Sequence, residues 1–126
     1  MIGPDPTPRP LDHLAGLGSP GDPALTVRDV MLDYGALEIA VGRMAAALRA
    51  TGLGDGDRVA SWLPKTIEAC LLPLAAARAG LIHVPINPQL RRAQVAHILN
   101  DCGAALLISG AERIETLTDG DRPEGC

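Results

Sequence analysis

The chain has 126 residues, 47% of them apolar and 21% charged, with a net charge of −4 and an isoelectric point near 5.2. That length suits one small domain, and the composition argues against disorder throughout. The acidic balance, without a basic stripe or aromatic–basic interleaving, excludes nucleic acid as an expected partner. No run reaches the roughly 18 apolar residues that cross a bilayer; the longest, Ala69 to Ala77, is interrupted by Pro73.

Residues 1–10 carry four prolines and predict an extended, loose lead-in. They contain no basic start followed by an apolar stretch, so no secretory signal is read and the expected location is cytoplasmic. Leu11 to Leu17 is a short helix candidate, and Ser19-Pro-Gly-Asp-Pro reads as a turn. Ala24–Val27 and Val30–Tyr34 flank Arg28-Asp29 and suggest a hairpin, although the turn lacks glycine. A long helix is expected from about Gly35 to Thr51. Leu37, Val41, Met44 and Leu48 fall at helical spacing, Asp33 can accept from the free amides of the first turn, and Gly52 follows as a stop.

Leu53-Gly-Asp-Gly-Asp turns the chain into a strand, Arg58–Leu63, which Pro64 ends. A second helix is expected over Thr66–Ala79, with Ile67, Cys70, Leu71 and Leu74 on one face and a kink or break at Pro73. Leu81–Val84 is continuously apolar, the pattern of a parallel strand covered on both faces. Pro85-Ile-Asn-Pro turns the chain into a third helix, Arg91–Asp101, with Val95, Ile98 and Leu99 inward and Gly103 behind it. Ala104–Ile108 reads as another buried strand, Glu112–Leu117 as a helical turn, and Thr118–Cys126 as a tail that frays. Phe is absent, and Trp62 and Tyr34 are the only aromatics. Small aliphatic side chains must therefore form the core, and modest stability is expected.

Strands of four or five residues alternating with helices imply parallel pairing. The expected fold is α/β: a partial three-layer Rossmann-like sheet, mainly parallel, with helices on its faces and a short N-terminal hairpin. The chain divides into a lead-in with a short helix (1–23), the α/β unit (24–117) and the tail (118–126).

Chemistry-bearing motifs are absent. There is no GxGxxG after a strand, no GxxxxGK[ST] and no GxSxG; Ser19, Ser61 and Ser109 are the only serines. The glycines of Gly52-Leu-Gly-Asp-Gly lie between a helix and a strand, the wrong order for a phosphate cradle. Cys70, Cys102 and Cys126 form no CxxC and no zinc spacing. Cys70 and Cys102 read as small buried hydrophobes and Cys126 as a free, mobile thiol. His13, His83 and His97 are scattered; His83 sits in an apolar strand, where it needs a hydrogen-bond partner. Lys65, the only lysine, reads as a surface residue and Arg91-Arg92 as a solvated first helical turn. No catalytic, cofactor-binding or metal-binding residue is assigned from these patterns.

Five segments in order resemble the N-terminal region of the AMP-forming acyl-CoA ligase, adenylation-domain and luciferase superfamily. They are Asp33-Tyr-Gly-Ala-Leu, Ala45 through Gly52-Leu-Gly-Asp-Gly-Asp-Arg-Val-Ala, Leu63-Pro-Lys-Thr-Ile-Glu, Ala76 through Val84-Pro-Ile-Asn-Pro, and Val95-Ala-His-Ile-Leu-Asn-Asp-Cys-Gly-Ala-Ala-Leu-Leu-Ile. Leu63-Pro-Lys, Val84-Pro-Ile-Asn-Pro and Gln94 through Cys102 also resemble the exosortase-associated acyl-CoA ligases. The sequence departs from the family pattern at Asp33, Ala36, Lys65 and Pro73; without Glu at position 36 a reciprocal capping box is lost.

The resemblance implies a parent enzyme that activates a carboxylic acid with ATP and Mg2+ as an acyl-adenylate and passes it to CoA. The family's phosphate loop, ribose-binding acid and C-terminal-domain lysine lie downstream of the resembling region, and Ser109-Gly110 is followed by Ala-Glu-Arg. The expectation is thus an N-terminal portion that is inactive alone, binds no cofactor itself and has the remainder of the ligase domain as its partner. The alternative is a non-catalytic remnant or a scaffold that binds partners.

Overall fold

The computed structural model describes residues 3–126, so Met1 and Ile2 of the proline-rich lead-in lie outside the described residues. Residues 3–10 carry no regular structure, and Leu11–Gly16 forms a 3₁₀ helix. Strands β1 (Pro23–Val27) and β2 (Val30–Asp33) pair antiparallel as the expected hairpin. Lacking glycine, the turn puts Arg28 at φ 55°, in the left-handed region that ordinary residues seldom occupy.

Helix α1 (Tyr34–Ala50) starts where Asp33 accepts from the Ala36 amide at 2.7 Å. It stops before Gly52, whose φ is 89°. Its buried stripe is Leu37, Val41, Ala45 and Leu48; Ala45 takes the place expected of Met44, which is only partly buried. Strand β3 (Arg58–Trp62) leads to helix α2 (Ile67–Arg78), which Thr66 caps through Ala69. Strand β4 (Ile82–Pro85), helix α3 (Arg92–Cys102), strand β5 (Leu106–Ser109) and the single turn α4 (Ala111–Ile114) complete the order.

The three later strands form a parallel sheet ordered β4-β3-β5. Successive side chains of a strand point to opposite faces, and β3 divides its residues accordingly. Val59 joins one apolar cluster with the 3₁₀ helix, α1 and α2, whereas Ala60 and Trp62 join a second with α3. The expected three layers follow: helices on one face, the sheet, and α3 on the other.

Arg78 ties the first face together. Its guanidinium reaches Asp12 of the 3₁₀ helix at 2.9 Å and Glu38 of α1 at 2.7 Å. Tyr34 lies so close over Gly18 that a Cβ there would collide with its ring.

Four expectations are corrected. Pro73 does not break α2, which runs unbroken from Ile67 to Arg78; close packing of its neighbours against α1 and β3 outweighs one lost backbone hydrogen bond. The most buried face of α2 is Leu71, Leu72, Ala75 and Ala76, and Ile67, Cys70 and Leu74 lie at its margin. Neither β4 nor β5 is buried on both faces. They flank β3 as the sheet's outer strands, and Ile82 is 48% exposed. Finally, Thr118–Cys126 packs against α3 instead of fraying, for reasons given below.

Candidate carboxyl-end site

In open α/β sheets ligands collect outside the carboxyl ends of the strands. Here β3 and β5 end at Trp62 and Ser109, and two open hollows share Glu112 and Arg113 at this end. The larger, about 730 Å³, is mostly apolar and is walled by Leu63, Pro64, Thr66 and Ile108. The smaller, about 510 Å³, is walled by Trp62, Pro88, Leu90, Arg91 and Arg92.

Trp62 is 4% exposed, and its indole N–H is the one buried side-chain polar atom among the described residues without a partner. A buried donor left unpaired costs about 1–3 kcal/mol, so this position is locally strained by polarity. The Arg113 guanidinium lies 5.2 Å from the centre of the ring, a cation–π placement, and Nη1 donates to the Pro88 carbonyl at 2.7 Å. Ser109 Oγ donates to the Trp62 carbonyl, joining the ends of β5 and β3.

Arg92 and Arg91 differ. Arg92 donates from Nε to Asp121 at 2.7 Å and from Nη2 to Thr118 Oγ1 at 2.6 Å. Asp121, 9% exposed, also accepts from the Thr118 amide at 2.7 Å. These donors, Arg92 foremost, hold its carboxyl down at about 2. Asn100 adds hydrogen bonds to the Gly120 and Asp121 carbonyls at 3.2 Å each. This network docks the tail: Arg92 is exposed, as expected of a first helical turn, and is also ion-paired to Asp121. Arg91 is exposed, and its side chain has no hydrogen bond or ion pair among the described residues.

Cys126 is a free thiol, partly buried against the second cluster, and burial raises its pKa. Cys70 and Cys102 are partly buried free thiols, and Lys65 is exposed as expected.

His83 finds its expected partner: its Nε2 lies 2.8 Å from Ser61 Oγ. Burial lowers the His83 pKa, favouring the neutral ring. Among the described residues no carboxylate hydrogen-bonds the imidazole, and Ser61 is 5% exposed, so the pair satisfies two polar groups within the sheet. A further hollow of about 500 Å³, between α1 and α2, has its charges already paired: Arg49 with Asp55, and Arg78 with Asp12 and Glu38.

Trp62 and Arg113, the centre of the smaller hollow, are residues that sequence reasoning passed over. The available signal was a lone tryptophan at the carboxyl end of a predicted strand. Arg113, 51 positions later, carried none. Among the described residues no three His, Cys, Asp or Glu side chains gather as a metal cradle.

A parallel sheet with helices on both faces defines an α/β fold. The chain belongs to the AMP-binding enzyme family, which matches residues 15–125. It is 40% identical over 83 residues to the long-chain-fatty-acid–CoA ligase FadD13 of Mycobacterium tuberculosis, a match covering 66% of this chain and 16% of that protein. It is 34% identical over 86 residues to an L-proline–[L-prolyl-carrier protein] ligase of Pseudomonas fluorescens, covering 68% of this chain and 17% of that one. The crystal structure of ATP-bound MatB from Rhodopseudomonas palustris superposes with a TM-score of 0.75 at 28% identity, over 83% of this chain and 22% of that one. The chain thus spans about one sixth of the length of these two curated relatives.

Proposed function

We propose that the chain is the amino-terminal part of an ATP-dependent carboxylic acid–CoA ligase and serves there as scaffold. The intact enzyme would form an acyl-adenylate with ATP and Mg2+ and then transfer the acyl group to CoA. The observation that carries this reading is the 83-residue match at 40% identity to one sixth of a fatty-acid–CoA ligase.

The surface supports it. The accessible area is 7940 Å², whereas a folded monomer of this mass exposes about 6,400 Å². Ile39, Ile82, Ile114 and Met31 are among the large apolar side chains left exposed, a pattern that suits contact with further protein. The partner in this reading is the remainder of the ligase domain. No helix among the described residues is long and apolar enough to cross a membrane, and cytoplasmic placement is part of the proposal. Membership of the narrower exosortase-associated group of ligases is part of the proposal.

Adenylation depends on cations and donors aimed beforehand at the developing phosphate charge. The hollows here offer arginines but no lysine and no metal cradle. ATP–pyrophosphate exchange on the purified chain, with fatty and aryl acids, is expected to stay at background. Exchange that depends on an added acid would refute the scaffold reading.

A further inference from the structure

We propose that Cys102 and Cys126 form a reversible disulfide that locks the tail onto α3, making residues 118–126 a redox-controlled clasp. Both are free thiols, and both pack against the apolar cluster of Ala60, Trp62, Val95 and Leu99. Cys102 is the last residue of α3. Asn100, just before it, donates to the carbonyls of Gly120 and Asp121 at 3.2 Å each, so the tail arrives beside that end of the helix. A turn closed by the Cys126 amide on the Pro123 carbonyl at 3.1 Å then folds the chain back. Gly125 within it has φ 84°, a left-handed value that glycine takes without strain. Arg122 Nη1 donates to the Cys126 carbonyl at 3.4 Å and holds the same bend. Burial foremost, and negative charge on Cys102 besides, push the Cys126 thiol up, so the two sulfurs lie within reach of each other's charge. Cys70 stands on the opposite face of the sheet, in a groove with Leu25 and Tyr34, and has no part in the pair.

The oxidant is a low-molecular-weight disulfide such as oxidised glutathione. The thiolate of one cysteine attacks a sulfur of the oxidant. A mixed S–S bond forms, the oxidant's own S–S bond breaks, and one glutathione leaves. The second cysteine attacks the protein sulfur of the mixed bond, forms the Cys102–Cys126 link and releases the second glutathione. Two protein thiols are oxidised, one small disulfide is reduced, and the two protons leave on the two glutathione thiols. The link removes the undocked states that the Arg92–Asp121 ion pair alone permits. It uses only residues of this chain, so its failure would leave the ligase reading untouched.

The purified chain is incubated with oxidised glutathione near neutral pH and then mapped by mass spectrometry of its peptides. A monomer whose Cys102 and Cys126 peptides are joined is expected. Cleavage within residues 118–126 by a protease that cuts at acidic residues should slow about tenfold or more in the oxidised chain, and recover on reduction. Cys70→Ser should keep both the link and the protection. Cys126→Ser should give neither: Cys102 should stop at the mixed disulfide, and the tail should be cut at the rate of the reduced chain. Stable glutathione adducts on both Cys102 and Cys126, a link to Cys70, or cross-linked dimers in place of the internal bond overturn the proposal. So does a Cys102–Cys126 link that leaves the rate of tail cleavage unchanged.

Discussion

The two faces of the parallel sheet are built differently. The face carrying α1 and α2 is a continuous apolar cluster centred on Val41, Val59, Leu72 and Ala75, and Arg78 clamps its edge. The face carrying α3 has a smaller cluster around Val95 and Leu99, and polar chemistry surrounds it: an unpaired indole N–H, Arg91, Arg113 and the ion-paired tail. On the first face Arg78 and Arg49 are paired with carboxylates of the same chain. The second retains unmatched donors, and that is where ligand or further protein has something to satisfy.

The largest effect should come from damaging the first face. Leu72→Ala removes a side chain 1% exposed, and large-to-small changes at such sites cost about 2–5 kcal/mol. Thermal or urea unfolding should register that loss as a collapse in stability, because the whole chain rests on this cluster. A change below 1 kcal/mol would mean the cluster is not the support described.

A smaller effect follows from removing the Asp33 cap of α1. Asp33→Ala should cost about 0.5–2 kcal/mol, the usual worth of a capping side chain. A midpoint shift in urea with an unchanged slope would confirm a simple loss of stability.

The smallest effect, and the most local, belongs to the second face. The carboxyl of Asp121 titrates near 2 when docked, below its ordinary 3.8. A depressed carboxylate contributes stability that is present above the ordinary value and is lost as pH falls through the docked one. Tail docking should therefore hold at neutral pH and weaken between about pH 4 and pH 2. Asp121→Asn should give the same loosening at neutral pH. Cleavage by a protease within residues 118–126 measures both, and indifference to both would break the contrast between the faces.

Much of the fold was legible because its signals are local. Stripes at helical spacing placed α1 and α3, glycines marked their ends, and short apolar runs marked the strands. Neighbour relations were not legible. The continuous apolarity of β4 suggested cover on both faces, yet its position beside β3 leaves Ile82 exposed. Composition also misjudged the tail, because Asp121 finds Arg92 and Asn100 more than 20 positions away. The smaller hollow was invisible for the same reason. It assembles Trp62, Arg91 and Arg113 from the ends of three different elements, and no spacing rule joins them.

Hydrogen exchange resolved along the chain tests most directly whether one face is finished support and the other an open, working surface. Amides of α1 and α2 should exchange only through global unfolding, while those of 111–126 should open at distinctly lower free energy. Equal protection across both regions would contradict the account.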